Sequence, residues 1–206
     1  GVADPEKRKK EIEQAERLFR EKVGSYKPNE FPAPKVSIFV PAYNREKYIQ
    51  EAIESAAAQT LKDIEIVVCD DGSTDRTPEI LRQLQERYNK AGERPLIRVV
   101  RHEKNRGIAT GWNTALRAAR GEYLLQLDSD DLLGQNTAEK LAKILDANKD
   151  VVCVYGNRDV IDGEGKYRDP GWNKPGVDRE FLFNTTMSAH HPRMMRASAW
   201  FRTEGA

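Results

Sequence analysis

Apolar residues change their spacing along this chain, and the changes mark its elements. From Lys35 onward, short solid apolar runs alternate with segments whose apolar positions recur every three or four residues. Val36 to Val40 predicts a strand stopped by Pro41, Ile64 to Cys69 a second, and Leu96 to Val100 a third. Tyr123 to Leu127 predicts a fourth and Val151 to Tyr155 a fifth. Between them, Tyr48, Ile49, Ala52, Ile53 and Ala56 have helical spacing, and Thr77-Pro78 opens a helix with Ile80, Leu81, Leu84 and Tyr88 on one face. A further helix is expected from about Thr110 to Arg120, and Leu141, Ile144 and Leu145 mark another. Solid apolar strands alternating with amphipathic helices predict an α/β domain, a mainly parallel sheet with helices on both faces.

The two ends read differently. Residues 4 to 23 predict an amphipathic helix, with Asp4 as its cap, Pro5 in its first turn, and Ile12, Ala15, Phe19 and Val23 as a narrow apolar stripe. Pro28 to Pro34 then form an extended connector that proline keeps out of helix. The expected division is therefore residues 1–34 as helix and connector, and residues 35–206 as the α/β domain. Late in the chain, Val160 to Tyr167 resembles a hairpin around a glycine turn, and Asp169 to Asn184 reads as loop. Met187 to Trp200 carries His190-His191 and two arginines.

Composition narrows the function classes. A net charge of +1 gives no electrostatic case for a nucleic acid partner. No run approaches the roughly 20 apolar residues that a membrane-spanning helix needs. Cys69 and Cys153 both sit in apolar runs and read as buried free thiols in a reducing compartment. That suits the cytoplasm or the cytoplasmic face of a membrane, with any peripheral attachment made by other parts of the protein.

The chemistry gathers at the strand ends. In an open parallel sheet, ligands bind beyond the carboxyl ends of the strands. The first strand delivers Pro41-Ala42-Tyr43-Asn44 there, the second Asp70-Asp71-Gly72-Ser73, and the third His102-Glu103-Lys104-Asn105-Arg106-Gly107. The fourth delivers Asp128-Ser129-Asp130-Asp131. Neighbouring carboxylates repel, and a hard divalent cation such as Mg²⁺ or Mn²⁺ at Asp128 and Asp130 would relieve the conflict while bridging to substrate phosphates. Tyr43 can stack on a flat base, and Asp70 can accept from pyrimidine N–H groups. Gly72 and Gly107 allow close backbone approach, while Asn105, Arg106 and Asn113 offer donors. Each group also has an ordinary structural reading. The acidic run can be a turn that caps the next helix, Asp70 to Thr74 a turn plus helix cap, and Asn105-Arg106-Gly107 a tight loop. The chain has no G-x-G-x-x-G after its first strand and no G-x-x-x-x-G-K-[ST], which argues against dinucleotide oxidoreductases and P-loop nucleotidases.

Taken in order, Val36 to Asn44, Val67 to Asp75, Asn105 to Asn113, and Ala119 to Tyr123 leading into Leu127 to Asp131 resemble a family 2 glycosyltransferase with a GT-A fold. The resemblance covers about residues 35 to 205. The stretch from Cys153-Val154-Tyr155 through Asn157-Arg158 to Ala189-His190-His191-Pro192-Arg193-Met194 is similar to the transferase domains of bacterial chondroitin and hyaluronan polymerases. The resemblance implies inverting transfer from a UDP-sugar to a carbohydrate acceptor hydroxyl, with Mn²⁺ or Mg²⁺. It implies donor-nucleotide roles for Pro41, Tyr43, Asn44, Asp70, Asp71, Asn105, Arg106, Gly107, Asn113, Asp128, Ser129 and Asp130, with metal at Asp128 and Asp130. His190 or His191 would reach the diphosphate or donor sugar. The family's catalytic base has no match before Ala206, so the resemblance implies a base beyond Ala206 and a chain that holds mainly the donor site. Two other classes stay open at this point: a metal-dependent nucleotidyltransferase, which would release pyrophosphate, and a nucleotide-sugar-binding fragment without turnover.

Overall fold

The computed structural model describes residues 31–94, 96–162, 164, 166–171 and 192–203. The chain divides into two units, Gly1–Pro32 and Ala33–Ala206, and the second holds every element described below. The expected N-terminal helix and His190-His191 lie outside the described residues.

Strands β1 (Val36–Ala42), β2 (Ile64–Asp70), β3 (Ile97–Arg101) and β4 (Tyr123–Gln126) are joined by helices α1 (Ile49–Ala57), α2 (Thr77–Tyr88) and α3 (Ile108–Ala118). Helix α4 (Thr137–Ala147) precedes β5 (Cys153–Tyr155), and β6 (Arg158–Ile161) with β7 (Tyr167–Gly171) makes a separate antiparallel ribbon. Strand β8 (Arg193–Arg196) runs directly into α5 (Ala197–Thr203). The main sheet has the order β3-β2-β1-β4-β8-β5. Its first four strands are mutually parallel, from Val36 beside Ile64 and Tyr123 to Ile97 beside Ile66.

Alternation along the strands explains why both faces are covered. Successive side chains point to opposite faces. Ile38, Val40, Ile66, Val68 and Leu125 join one apolar cluster with Ile53, Leu81, Leu141 and Leu145 of the helices. Phe39, Val67, Cys69 and Leu124 join the other with Ala115, Leu116 and Ala197. A buried polar knot supports the second face. The Ser37 hydroxyl donates to Glu65 Oε1 at 2.6 Å and accepts from the N–H groups of Gly121 at 2.7 Å and Arg120 at 3.1 Å. The other oxygen of Glu65 meets Arg98 Nη1 at 2.9 Å.

Several expectations need correction. Pro41 does not stop β1, which continues to Ala42. The carbonyls of Lys35 and Phe39 accept from Tyr123 of β4 and from Leu127 just past it, so alternate residues face that strand, and the pairing with β4 ends at Phe39. The missing N–H of Pro41 falls on that side, just past the last pairing, where it costs the sheet nothing. Residues 169 to 171 belong to β7 and not to a loop. Its turn is held by Asp162, whose Oδ1 accepts from the N–H groups of Glu164 and Lys166. Strand β5 does not pair with β4. Strand β8, unforeseen from the sequence, lies antiparallel between them. Strand β5 is thus the sheet's edge, and Cys153 on it is exposed while Cys69 is buried. Among the described residues, no helix is long and apolar enough to cross a membrane.

Candidate functional site

The strand order reverses between β1 and β4, because β2 and β3 lie on one side of β1 and β4 on the other. In open α/β sheets, such a switch point opens a crevice at the carboxyl ends of the strands. Loops 43–48, 71–76, 102–107 and 127–136 all leave the sheet at that end.

The first two loops are stitched together by Asn44. Its backbone φ of 52° is left-handed, which asparagine tolerates better than most residues. Its Oδ1 accepts from Thr74 N–H at 2.9 Å, and its own N–H donates to the Ser73 hydroxyl at 2.9 Å. Asn44, expected to contact a nucleotide, therefore has its side-chain oxygen committed to positioning loop 71–76. Farther on, Asp75 accepts from Glu46 N–H and Thr77 N–H. Partial burial opposes its ionisation, but the Thr77 hydroxyl and these N–H groups outweigh that and hold the carboxyl below its usual range.

Asp70 and Asp71 are adjacent and differ in role. Asp71 is nearly buried, and both its oxygens are occupied. Oδ1 lies 2.6 Å from His102 Nδ1 and 2.9 Å from Arg106 N, while Oδ2 accepts from Gly107 N at 2.9 Å. Asp71 thus holds loop 102–107. Asp70 Oδ1 accepts from Ser73 N–H at 3.0 Å, so the turn expected there forms. Asp70 Oδ2 is buried without a hydrogen bond. Arg101 Nε lies 3.1 Å from it, an ionic contact that lacks hydrogen-bond alignment, on a side chain that is 53% exposed.

Glycine acts differently at the two expected positions. Gly72 has φ +73°, and a Cβ there would lie 2.5 Å from the Lys104 carbonyl carbon, so two loop backbones touch at this point. At Gly107, a Cβ would meet nothing within 4 Å, so no protein backbone presses on it. The residue is needed instead for its φ of +87°, which lets the loop turn into α3. Asn105 Oδ1 accepts from Gly107 N at 3.0 Å. The side chains of Asn105, Arg106 and Asn113 are exposed, and Tyr43 is 40% exposed.

The acidic run does not cap the following helix. Helix α4 starts at Thr137, and the N–H of Ala138 donates to Gln59 Oε1 at 2.9 Å, so a glutamine from the end of α1 does that work. Asp131 N–H closes a turn on the Asp128 carbonyl at 3.1 Å. Asp128 Oδ1 accepts from Gln126 Nε2 at 2.9 Å, and Gln126 Oε1 accepts from Arg193 Nε of β8. Ser129 is buried, while Asp130 is half exposed and meets Arg45 Nε at 3.4 Å. Among the described residues, no three His, Cys, Asp or Glu side chains are grouped to hold a metal ion. All-oxygen donors suit Mg²⁺ or Mn²⁺ bound by one or two carboxylates and completed by substrate phosphates, and they do not suit an all-protein cage.

Sequence reasoning gave no role to His102, Arg45, Arg101 or Gln126. Each sits at or just after a strand end, which was the available signal. Asp70 and Asp71 lie 31 positions from Arg101 and His102, Arg193 lies 67 from Gln126 and Asp130 85 from Arg45, and spacing alone does not reveal such pairs.

A mainly parallel sheet with this order, and with polar loops at its switch point, is an α/β domain of the open, doubly wound kind. The chain belongs to glycosyl transferase family 2, which it matches over residues 37–201. It is 45% identical over 172 residues to a chondroitin synthase of Escherichia coli, across 84% of this chain and 24% of that protein. It is 40% identical over 172 residues to a hyaluronan synthase of Pasteurella multocida, across 84% of this chain and 17% of that one. The chain thus spans about a quarter or less of the length of these curated relatives. S. aureus TarS 1–349 in complex with UDP-GlcNAc superposes with a TM-score of 0.61 at 26% identity, over 82% of this chain and 47% of that one. A mannosyltransferase from Pyrobaculum calidifontis, solved with GDP-Man and Mn²⁺, gives 0.61 at 24% identity over 94% and 53%, a likeness of fold. The fold is of the GT-A type.

Proposed function

We propose that this chain binds the donor of an inverting glycosyltransferase, a UDP-sugar whose glycosyl group passes to a carbohydrate hydroxyl in the cytoplasm. The observation that carries the proposal is the buried, unbonded Asp70 Oδ2 at the carboxyl end of β2. A buried acceptor without a donor costs free energy, and the N3–H of uracil is a donor of the right kind. The base would reach it past the exposed Arg101 side chain, with Tyr43 available for stacking. Loop 102–107, seated by Asp71, would border the nucleotide, as would Asn113 on α3. UDP in the TarS complexes, at 26% identity, supports the nucleotide. The synthase relatives support a polysaccharide product.

Asp130 and Asp128 would hold Mn²⁺ or Mg²⁺ together with the diphosphate. A bound cation offsets charge growing on the leaving phosphate. Gln126 keeps Asp128 oriented, and Arg45 keeps positive charge beside Asp130. His190 and His191 remain assigned to the diphosphate or donor sugar on the resemblance alone. Calorimetry with UDP, CDP, UMP and a panel of UDP-sugars, with and without Mn²⁺, tests the proposal. Micromolar, metal-enhanced binding of UDP is the expected result, and no discrimination among the nucleotides overturns it.

A further inference from the structure

We propose that His102 is a positioning residue for the nucleotide site, acting through Asp71 on the backbone of Arg106 and Gly107. This deepens the donor-site reading and rests on it.

The geometry forms a closed circuit. His102 follows β3 directly, and its N–H donates to the Asp70 carbonyl at 2.9 Å, so its backbone is fixed to the sheet. Its ring reaches Asp71 Oδ1 through Nδ1 at 2.6 Å and Thr114 Oγ1 on α3 through Nε2 at 2.9 Å. Cys69 Sγ lies 3.8 Å from the same Nε2. Both side chains are under a tenth exposed, at 8% for His102 and 5% for Asp71. An ionised carboxylate only accepts, so Nδ1 donates to Asp71, while Nε2 shares a hydrogen bond with the Thr114 hydroxyl. Asp71 then has three N–H donors: His102 Nδ1, Arg106 N and Gly107 N. Gly107 opens α3, the helix that carries Thr114. The middle of α3 is thus tied through His102 and Asp71 to the start of α3. Loop 102–107 lies beside Asp70, whose Oδ2 lacks a hydrogen bond.

A histidine that merely fills the interior would stabilise the fold without regard to which nitrogen is replaced. A positioning histidine acts through Nδ1. His102→Asn places an amide nitrogen near Nδ1 and keeps the donor to Asp71, while the Thr114 contact is lost. His102→Gln places its amide near Nε2 and does the reverse. The test is UDP calorimetry on both variants, with hydrogen exchange at the Arg106 and Gly107 amides measured without nucleotide and melting temperatures measured alongside. His102→Gln should weaken UDP binding roughly ten- to a hundredfold, the size of one hydrogen bond to a charged group, and should speed exchange at both amides. His102→Asn should retain wild-type binding and slow exchange. Equal UDP affinities in the two variants, or losses that follow melting temperature alone, overturn the proposal. Wild-type chain that binds no UDP defeats the donor-site reading and the nucleotide role of His102 together. Unchanged exchange in His102→Gln defeats the His102 circuit alone and leaves the donor reading standing.

Discussion

Arg45 and Asp130 meet across the point where the strand order reverses, with Nε 3.4 Å from Oδ2. One follows β1 and the other follows β4, so the contact links the loops that leave these two strands. Both side chains are close to half exposed, at 40% and 48%. Pairs this exposed contribute about 0–1 kcal/mol to stability. Asp130 therefore contributes little to folding, which is compatible with the proposed metal role.

Asp130→Asn should leave the unfolding midpoint almost unchanged and remove most of the gain in UDP affinity that Mn²⁺ provides. Calorimetry with and without Mn²⁺, beside urea unfolding, checks both halves. A variant that keeps the full metal-dependent gain excludes Asp130 as a ligand.

Gly121 makes the opposite kind of prediction, one about the fold alone. A Cβ at this position would lie 2.4 Å from Ser37 N and 2.8 Å from the Val36 carbonyl carbon. These are backbone atoms of a central strand and cannot step aside. Gly121→Ala should cost at least the roughly 1–3 kcal/mol typical of overpacked sites. Gly111→Ala is its control, since the nearest atoms stand 3.8 to 3.9 Å away. Within α3 that change should be neutral or stabilising by up to about 1 kcal/mol. Urea unfolding of the two variants should move in different directions.

The edge opposite the site holds a pH-dependent cluster. Lys35 Nζ donates to Asp146 at 2.7 Å and to Glu122 at 2.9 Å, and the Tyr123 hydroxyl donates to Asp146 at 2.7 Å. Lys35 holds both carboxyls below their usual range, with Tyr123 assisting at each. Burial works against the charge of Lys35, but its two carboxylate partners outweigh this and raise it above the ordinary lysine value. Carboxyls depressed in the folded state contribute stability above the unfolded carboxyl range, and that contribution fades as pH falls through the folded values. The raised Lys35 contributes below the ordinary lysine range and loses its share only at strongly alkaline pH. Lys35→Met should therefore lower the melting temperature at neutral pH, and its effect should shrink progressively as pH falls below the ordinary carboxyl range and through the depressed folded values. A constant difference between the two proteins from neutral pH down through those folded values would exclude the ion pairs as its source.

The alternation of strands and helices was legible because each buried strand is a solid apolar run and each helix a half-apolar one. Strand β8 was not legible. Arg193-Met194-Met195-Arg196 is four residues long with charge at both ends, and its pairing partners Leu124 and Val154 lie far away in sequence. Pro41 misled for a related reason. Whether proline breaks a strand depends on which neighbour its nitrogen faces, and only the completed sheet decides that. At the site, the convergence of four loops followed from strand polarity. The division of work between Asp70 and Asp71 did not. Two adjacent aspartates look alike in a sequence, yet one accepts three N–H groups and the other keeps an oxygen unbonded.

That unbonded oxygen yields the sharpest functional prediction. Asp70 is fully buried, Ser73 N–H occupies Oδ1, and Oδ2 lacks a hydrogen bond, with Arg101 Nε 3.1 Å away out of alignment. Uracil presents an N3–H donor to such an acceptor, and cytosine presents a lone pair at the same ring position. Wild-type chain should thus prefer UDP to CDP, because pairing a lone pair with a buried carboxylate leaves both unsatisfied. The difference should be roughly 1–3 kcal/mol, the penalty for an unmade buried hydrogen bond. Asp70→Ala should bind UDP more weakly and bring the two nucleotides to similar affinity. Loss of the Ser73 contact lowers stability as well, so the comparison is made as a ratio of UDP to CDP affinity well below the melting temperature of each protein. A ratio that survives in Asp70→Ala places base selection on another residue.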